Sequence, residues 1–261
     1  MGEVLSMKQR QIKPIYANTY QQLRHQYHRR RAWLIVLVLL VLIGGWLTWR
    51  HYRQAQLDRY PIRGVAIDQE NGFVDFQLVE QAHQQFVYLH TSSGATYTDD
   101  QFKNSYNRAL GSSLSIGVYH VYSFSTSPKA QLANFSQEVG HKIGNLPIAV
   151  QVDFYDQYNA HRLATPKSRH RLSEFVHLVQ QRYHRRVIVW SPDQVWQTLK
   201  SATIAKQPRW AVSNGARKLS QQVLFNEFDS DWSLKLGQQK QTVPAIYFNG
   251  SRHEWNQRYV R

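Results

Sequence analysis

Two hydrophobic rhythms divide this chain of 261 residues. From Ala32 to Trp49 the sequence AWLIVLVLLVLIGGWLTW is apolar without a break, 18 residues with no charge. At ~1.5 Å rise per residue such a helix spans about 27 Å, close to the ~30 Å of a bilayer core. Trp33, Trp46 and Trp49 lie near its ends, where indole rings favour a membrane surface. Beyond Pro61 the rhythm changes to short apolar runs separated by amphipathic stretches. GVAID (64–68), FVYLHT (86–91), LSIGVYHVY (114–122) and PIAVQVD (147–153) read as strands rich in β-branched and aromatic residues. So do RVIVW (186–190), RWAVSN (209–214), VLFNEF (223–228) and AIYFN (245–249). Helical spacing appears between them, over 75–83, 99–110, 127–143 and 169–183, and Ser127-Pro128 opens the third as an N-cap followed by Pro at N1.

Strands alternating with helices imply parallel β/α units, because each crossover helix returns the chain to the same edge of the sheet. About eight such strands in roughly 200 residues predict an irregular β/α (TIM-like) barrel preceded by one N-terminal transmembrane helix. Helical spacing fades after residue 200, hence the irregularity; a doubly wound sheet is the alternative. The organisation that follows is a basic segment (1–31), a span (32–49), a short polar stalk (50–61) and the barrel (62–261).

Charge sharpens this picture. Lys and Arg number 32 against 17 acids, a net +15. Residues 1–53 hold nine of the basic residues and one acid, so +8; the other 208 carry 23 against 16, so +7. A basic block directly before an apolar span is a topology signal that places the N-terminus in the cytoplasm, rather than a nucleic-acid-binding arm. A cleaved signal peptide is the rival reading. Against it stand a basic region of about 31 residues and the sequence HYRQAQ, which lacks a small-x-small cleavage pattern. The +7 of the outer part suits either solubility or attraction to an anionic wall. With no Cys there are no disulfides, thiolate metal sites or Cys nucleophile. His90 and His120 lack a third ligand at useful spacing, so no metal and no cofactor is expected.

Two acids stand out by position. Asp68 closes the first strand and Asp153 closes the fourth. In a β/α barrel, the C-terminal ends of the strands face the active site. Two carboxyls at one barrel mouth are the minimum for cleaving a glycosidic bond, one protonating the leaving oxygen and one stabilising the cation or activating water. The same residues would serve equally to cap the following helices or to pair with Lys.

In order and spacing, the segments resemble the muramidases of glycoside hydrolase family 25. RGVAIDQENGFVDFQLVEQAHQQFVYLHTSSGATYTDDQFKNSYNRAL (63–110) follows that family's opening: a strand ending in Asp, an Asn-Gly turn, a second strand, then a Gly-x-x-Tyr-x-Asp-x-x-Phe loop. GVYHVYSF (117–124) is similar to its Gly-Ala-Tyr-His-Phe strand, and SPKAQLANFSQEVG (127–140) to its Lys-Ala-Gln-Ala-x-x-Phe helix. The likeness runs over about residues 62–255 and is strongest up to 153. It implies a lysozyme-like enzyme hydrolysing β-1,4 bonds of peptidoglycan, which the apolar span and its basic flank would anchor in the bacterial plasma membrane with the barrel outside.

The resemblance also assigns roles. Asp68 matches the first-strand carboxylate. Asp153 falls where the family carries its general acid, a Glu, and Gln151 falls where it carries an Asp. Tyr119 and His120 match cleft residues; Tyr97, Gln151 and Tyr247 join them as substrate-binding candidates. The departures are consistent in kind: Ser92-Ser93-Gly94 replaces Thr-Glu-Gly, and Tyr247 replaces the Asp of a late Val-Asp-x-Asn. The thinned carboxylate set opens an alternative, a catalytically impaired member that holds peptidoglycan as a scaffold or regulator. Action on another wall polysaccharide is a third reading. Asp156, Glu70 and Glu227 are the acids placed to compensate.

Overall fold

The computed structural model describes residues 31–48, 51, 58–213 and 219–260. Backbone packing divides the chain into two units, 1–52 and 53–261. Within the first, α1 (Arg31–Thr48) is a single helix with a mean hydropathy of 2.1, long and apolar enough to cross a membrane. Trp49, nearly all of the basic segment and most of the stalk lie outside the described residues.

The second unit is a mixed α/β fold around a closed barrel. In chain order its strands are β1 (Arg63–Ile67), β2 (Phe86–Ser93), β3 (Tyr97–Thr98), β4 (Ser115–Val121), β5 (Ile148–Gln151), β6 (Val187–Pro192), β7 (Arg209–Val212), β8 (Val223–Leu236) and β9 (Gln239–Phe248). The sheet runs β1-β9-β8-β7-β6-β5-β4-β2-β3, and a further β1–β2 pairing closes it into eight strands, with β3 attached as a hairpin. The helices are α2 (Phe76–Gln81), α3 (Phe102–Ala109), α4 (Pro128–Val139), α5 (Ala160–Leu163), α6 (Pro166–Tyr183), α7 (Asp193–Leu199) and α8 (Arg252–Tyr259).

The expected all-parallel barrel is not what forms. β9 is antiparallel to both β8 and β1. The reason is local: β8 and β9 are joined by a tight turn at Gly237 (φ +60°), too short for the crossover helix that a parallel pairing needs. Strong β periodicity also continues past Phe228, so β8 runs on through Leu236 as one arm of a long hairpin.

Alternation along each strand separates two cores. Val65, Ile67, Val87, Leu89, Ile116 and Val118 face the helices, against Phe135 of α4 and Phe175 and Val176 of α6. Ala66, Tyr88, Tyr119, Ala149, Trp190, Trp210 and Phe225 fill the barrel. Gly64 and Gly117 make this possible: a Cβ on either would lie 2.4 Å from the ring of Phe86 or Tyr88, respectively. At the end opposite the mouth, Trp255 of α8 packs 5.2 Å from both Phe86 and Phe248 and closes the floor.

Candidate active site

The C-terminal strand ends make a mouth floored by rings. From rim to interior the sequence is Tyr97, His90, Tyr119, Trp190 and Trp210, with centroid separations of 5.8, 4.9, 5.2 and 4.0 Å. The last pair is stacked face to face, 4° from parallel. Tyr97 is 42% exposed whereas Tyr119 is buried.

Carboxyls surround this floor. Asp68 follows β1 and caps a one-turn 3-10 helix (Gln69–Asn71), its Oδ1 accepting from the Glu70 N–H at 2.9 Å while Asn71 Oδ1 accepts from the Asp68 N–H. Asp99 is almost fully buried at the end of the β2–β3 hairpin. Its carboxylate accepts from the N–H of Gln69 (2.8 Å) and of Gln101 (2.9 Å), and lies 3.2 Å from His90 Nδ1. Asp99 therefore ties the hairpin to the residue next to Asp68. His90 in turn places Nε2 3.0 Å from Ser93 Oγ.

Asp153 lies just past β5 and is exposed, with Oδ1 accepting from the Phe154 N–H at 2.7 Å. It shares a cleft of about 390 Å³ with Ser93, Thr96, Ser123 and Tyr155. Glu227 sits on the barrel-facing side of β8, one alternation beyond Phe225, and is 5% exposed. Trp190 Nε1 donates to its Oε2 at 2.8 Å and Ser230 Oγ to its Oε1 at 2.5 Å. Burial holds the Glu227 carboxyl above the usual carboxylate range, against the pull of those two hydrogen bonds and with added repulsion from Asp153 and Asp229.

Electrostatic neighbours connect the group. The Tyr119 phenol is pushed well up, first by burial and then by Asp68, Asp99 and Glu227. Tyr97 is raised by burial, then by Asp99 and Asp68. Asp68, Asp99 and Glu227 thus all act electrostatically on Tyr119, and Asp153 acts in the same way on Glu227. Gln151 is half-buried at the end of β5, in register with Trp190.

Two expected site residues are elsewhere. His120 follows Tyr119 on β4, so its side chain points to the opposite face of the sheet. There it is 1% exposed, between Phe135 and Phe175. Burial lowers its pKa to about 3. Tyr247 likewise turns outward, stacked 4.0 Å from Tyr60. Neither reaches the barrel interior. Conversely, Asp99 was legible as part of the Tyr-x-Asp loop, yet only its burial reveals that it anchors the mouth. The parity of Phe225 and Glu227 on β8 was the signal available for Glu227.

A closed α/β barrel whose mouth combines carboxyls with an aromatic floor has the layout of barrel glycosidases. The sequence model for glycosyl hydrolases family 25 matches residues 65–233, and the chain belongs to that family. It is similar, at 24% identity over 158 residues, to the uncharacterized protein YegX of Escherichia coli O6:H1, with 59% of this chain and 56% of that protein covered. Identity to the autolytic lysozyme of Clostridium acetobutylicum is 29% over 92 residues, covering 35% of this chain and 28% of that one. The chain thus matches about half the length of YegX and less of the autolytic lysozyme. In fold it resembles a family 25 glycosyl hydrolase from Bacillus anthracis, with a TM-score of 0.66 and 21% identity over 78% of this chain and 95% of that one.

Proposed function

We propose that this protein is a membrane-anchored muramidase that hydrolyses β-1,4 bonds of peptidoglycan. The observation that supports the reading is the position of Asp68 just past β1 and of Asp153 just past β5, both at C-terminal strand ends of a family 25 barrel whose interior is aromatic. Sugar rings present apolar C–H faces that suit Tyr97 and the rings beneath it. Asp68 and Asp153 act as the carboxylates flanking the cleaved bond, since the oxocarbenium-like transition state gains most from negative charge close to the anomeric carbon. Tyr97 and Gln151 contact the sugar. Tyr119, His120 and Tyr247 act as supports, holding the floor and the strands that carry it. Helix α1 anchors the chain in the bacterial plasma membrane, with the basic segment cytoplasmic and the barrel outside.

The exposed Asp153, turned onto its own Phe154 N–H, favours a second reading, in which the mouth holds glycan strands without cleaving them. Release of new reducing ends from purified peptidoglycan separates the two. The hydrolase reading expects release by the wild-type protein and its loss in Asp68→Asn and Asp153→Asn; a protein that sediments with the wall but releases nothing would establish the binding module.

A further inference from the structure

A general acid must keep its proton near neutral pH and still reach the leaving oxygen. Asp153, one methylene shorter than the Glu whose position it takes, is solvent-exposed and directed at the Phe154 N–H. Glu227 has the opposite setting. It lies inside the barrel wall, and of its two carboxyl oxygens one is fixed by the Trp190 indole, itself held by stacking on Trp210. The other meets Ser230 at 2.5 Å. Ser230 is exposed. It comes back over Glu227 because β8 loses register with β9 between Glu227 and Asp229 and again between Asp229 and Trp232. Such irregularities re-aim side chains, and they concentrate beside active sites. The result is a buried carboxyl connected by one hydrogen bond to a hydroxyl at the protein surface.

Building on the hydrolase reading above, we infer that Glu227 is the proton donor of this site and delivers its proton through Ser230, while Asp153 joins Asp68 as a stabilising carboxylate. As the bond from the anomeric carbon to the leaving oxygen breaks, its electron pair stays on that oxygen. With Glu227 protonated the hydrogen bond runs the other way, the carboxyl donating to Ser230 Oγ, and the leaving oxygen takes the Ser230 hydroxyl proton as Ser230 takes the proton of Glu227. Water then adds to the anomeric carbon, and the proton it sheds returns through Ser230 to the Glu227 carboxylate. Burial, which raises the proton affinity of Glu227, supports this assignment, and the shortening of the family's Glu to Asp153 explains why a donor on another strand is needed.

The test uses the full chain in detergent with two substrates: peptidoglycan, and a dinitrophenyl glycoside whose leaving group departs without protonation. Glu227→Gln keeps an oxygen for Trp190 but has no acidic proton. It is expected to lose about 100-fold or more in kcat on peptidoglycan, to keep activity on the dinitrophenyl glycoside within a few fold, and to lose the alkaline limb of its pH profile. Ser230→Ala, at an exposed position, is expected to lose about 10-fold on peptidoglycan alone. Equal losses on both substrates, or an undiminished Glu227→Gln enzyme, would overturn the assignment while leaving the hydrolase reading standing. A wild-type protein silent on both substrates would overturn the hydrolase reading and this inference with it.

Discussion

Acidification gives the sharpest test of the packing around β4. His120 Nε2 faces Gln131 Oε1 at 3.2 Å, and Ser92 Oγ lies 2.9 Å from Nδ1. Gln131 Oε1 also accepts from the Ser123 N–H, and its amide donates to Ser123 O and Thr126 O, so the amide orientation is fixed. His120 therefore carries its proton on Nε2 and accepts from Ser92 at Nδ1, which suits a neutral ring. Burial, the dominant cause, lowers its pKa to about 3 from an ordinary 6.5. The unfolded chain thus takes up a proton as pH falls through 6.5, whereas the folded chain resists until about 3. Stability is full above 6.5 and declines below it by about 1.4 kcal/mol per pH unit. From pH 7 to pH 5 the loss attributable to this ring is about 2 kcal/mol. Glu227, whose proton affinity rises on folding, works in the opposite direction, so the comparison needs a variant. Denaturant unfolding of wild type and His120→Gln, followed by Trp fluorescence at both pH values, should show the wild type losing about 2 kcal/mol more than the variant. Equal pH dependence in the two proteins would refute the argument that this histidine is held neutral.

Other expectations follow from the same geometry. Asp68→Asn and Asp153→Asn should each lower reducing-end release by about 100-fold or more with unchanged wall sedimentation. Gly117→Ala should destabilise the barrel by about 1–3 kcal/mol in chemical denaturation, because its Cβ would sit 2.4 Å from the Tyr88 ring. Asp99→Asn leaves one carbonyl oxygen to serve the Gln69 and Gln101 N–H groups and His90. It should cost about 1–3 kcal/mol of stability and lower activity through the displaced Asp68 turn, measured by unfolding and reducing-end release together.

Much of the barrel was legible in the sequence. Every strand inferred from apolar runs exists, and the helices over 75–83, 99–110, 127–143 and 169–183 form within a few residues of those bounds. What escaped has physical causes. α5 and α7 are short, and α8 follows β9 after only three residues, so their periodicity is brief. The antiparallel direction of β9 depends on turn length between two strands, not on the composition of either. The site was harder. Tyr119 and His120 are adjacent in a motif that the resemblance assigns wholly to the cleft, yet adjacent strand residues cannot face the same side. Asp99 and Glu227 gain their significance from burial and from partners 30 and 37 residues away, Gln69 and Trp190, which no local pattern records.

The antiparallel closure also has a kinetic side. β1 meets β9 through pairs such as Gly64 with Ile246, almost the whole length of the barrel sequence apart. Until residues 239–248 are available, β1 and β8 each present an unpaired edge, the state in which sheets recruit strands from other molecules. The β8–β9 hairpin forms from near neighbours in sequence, but its insertion against β1 is the longest-range event in the domain, and such contacts slow folding. The barrel is thus a structure whose first strand waits for its last.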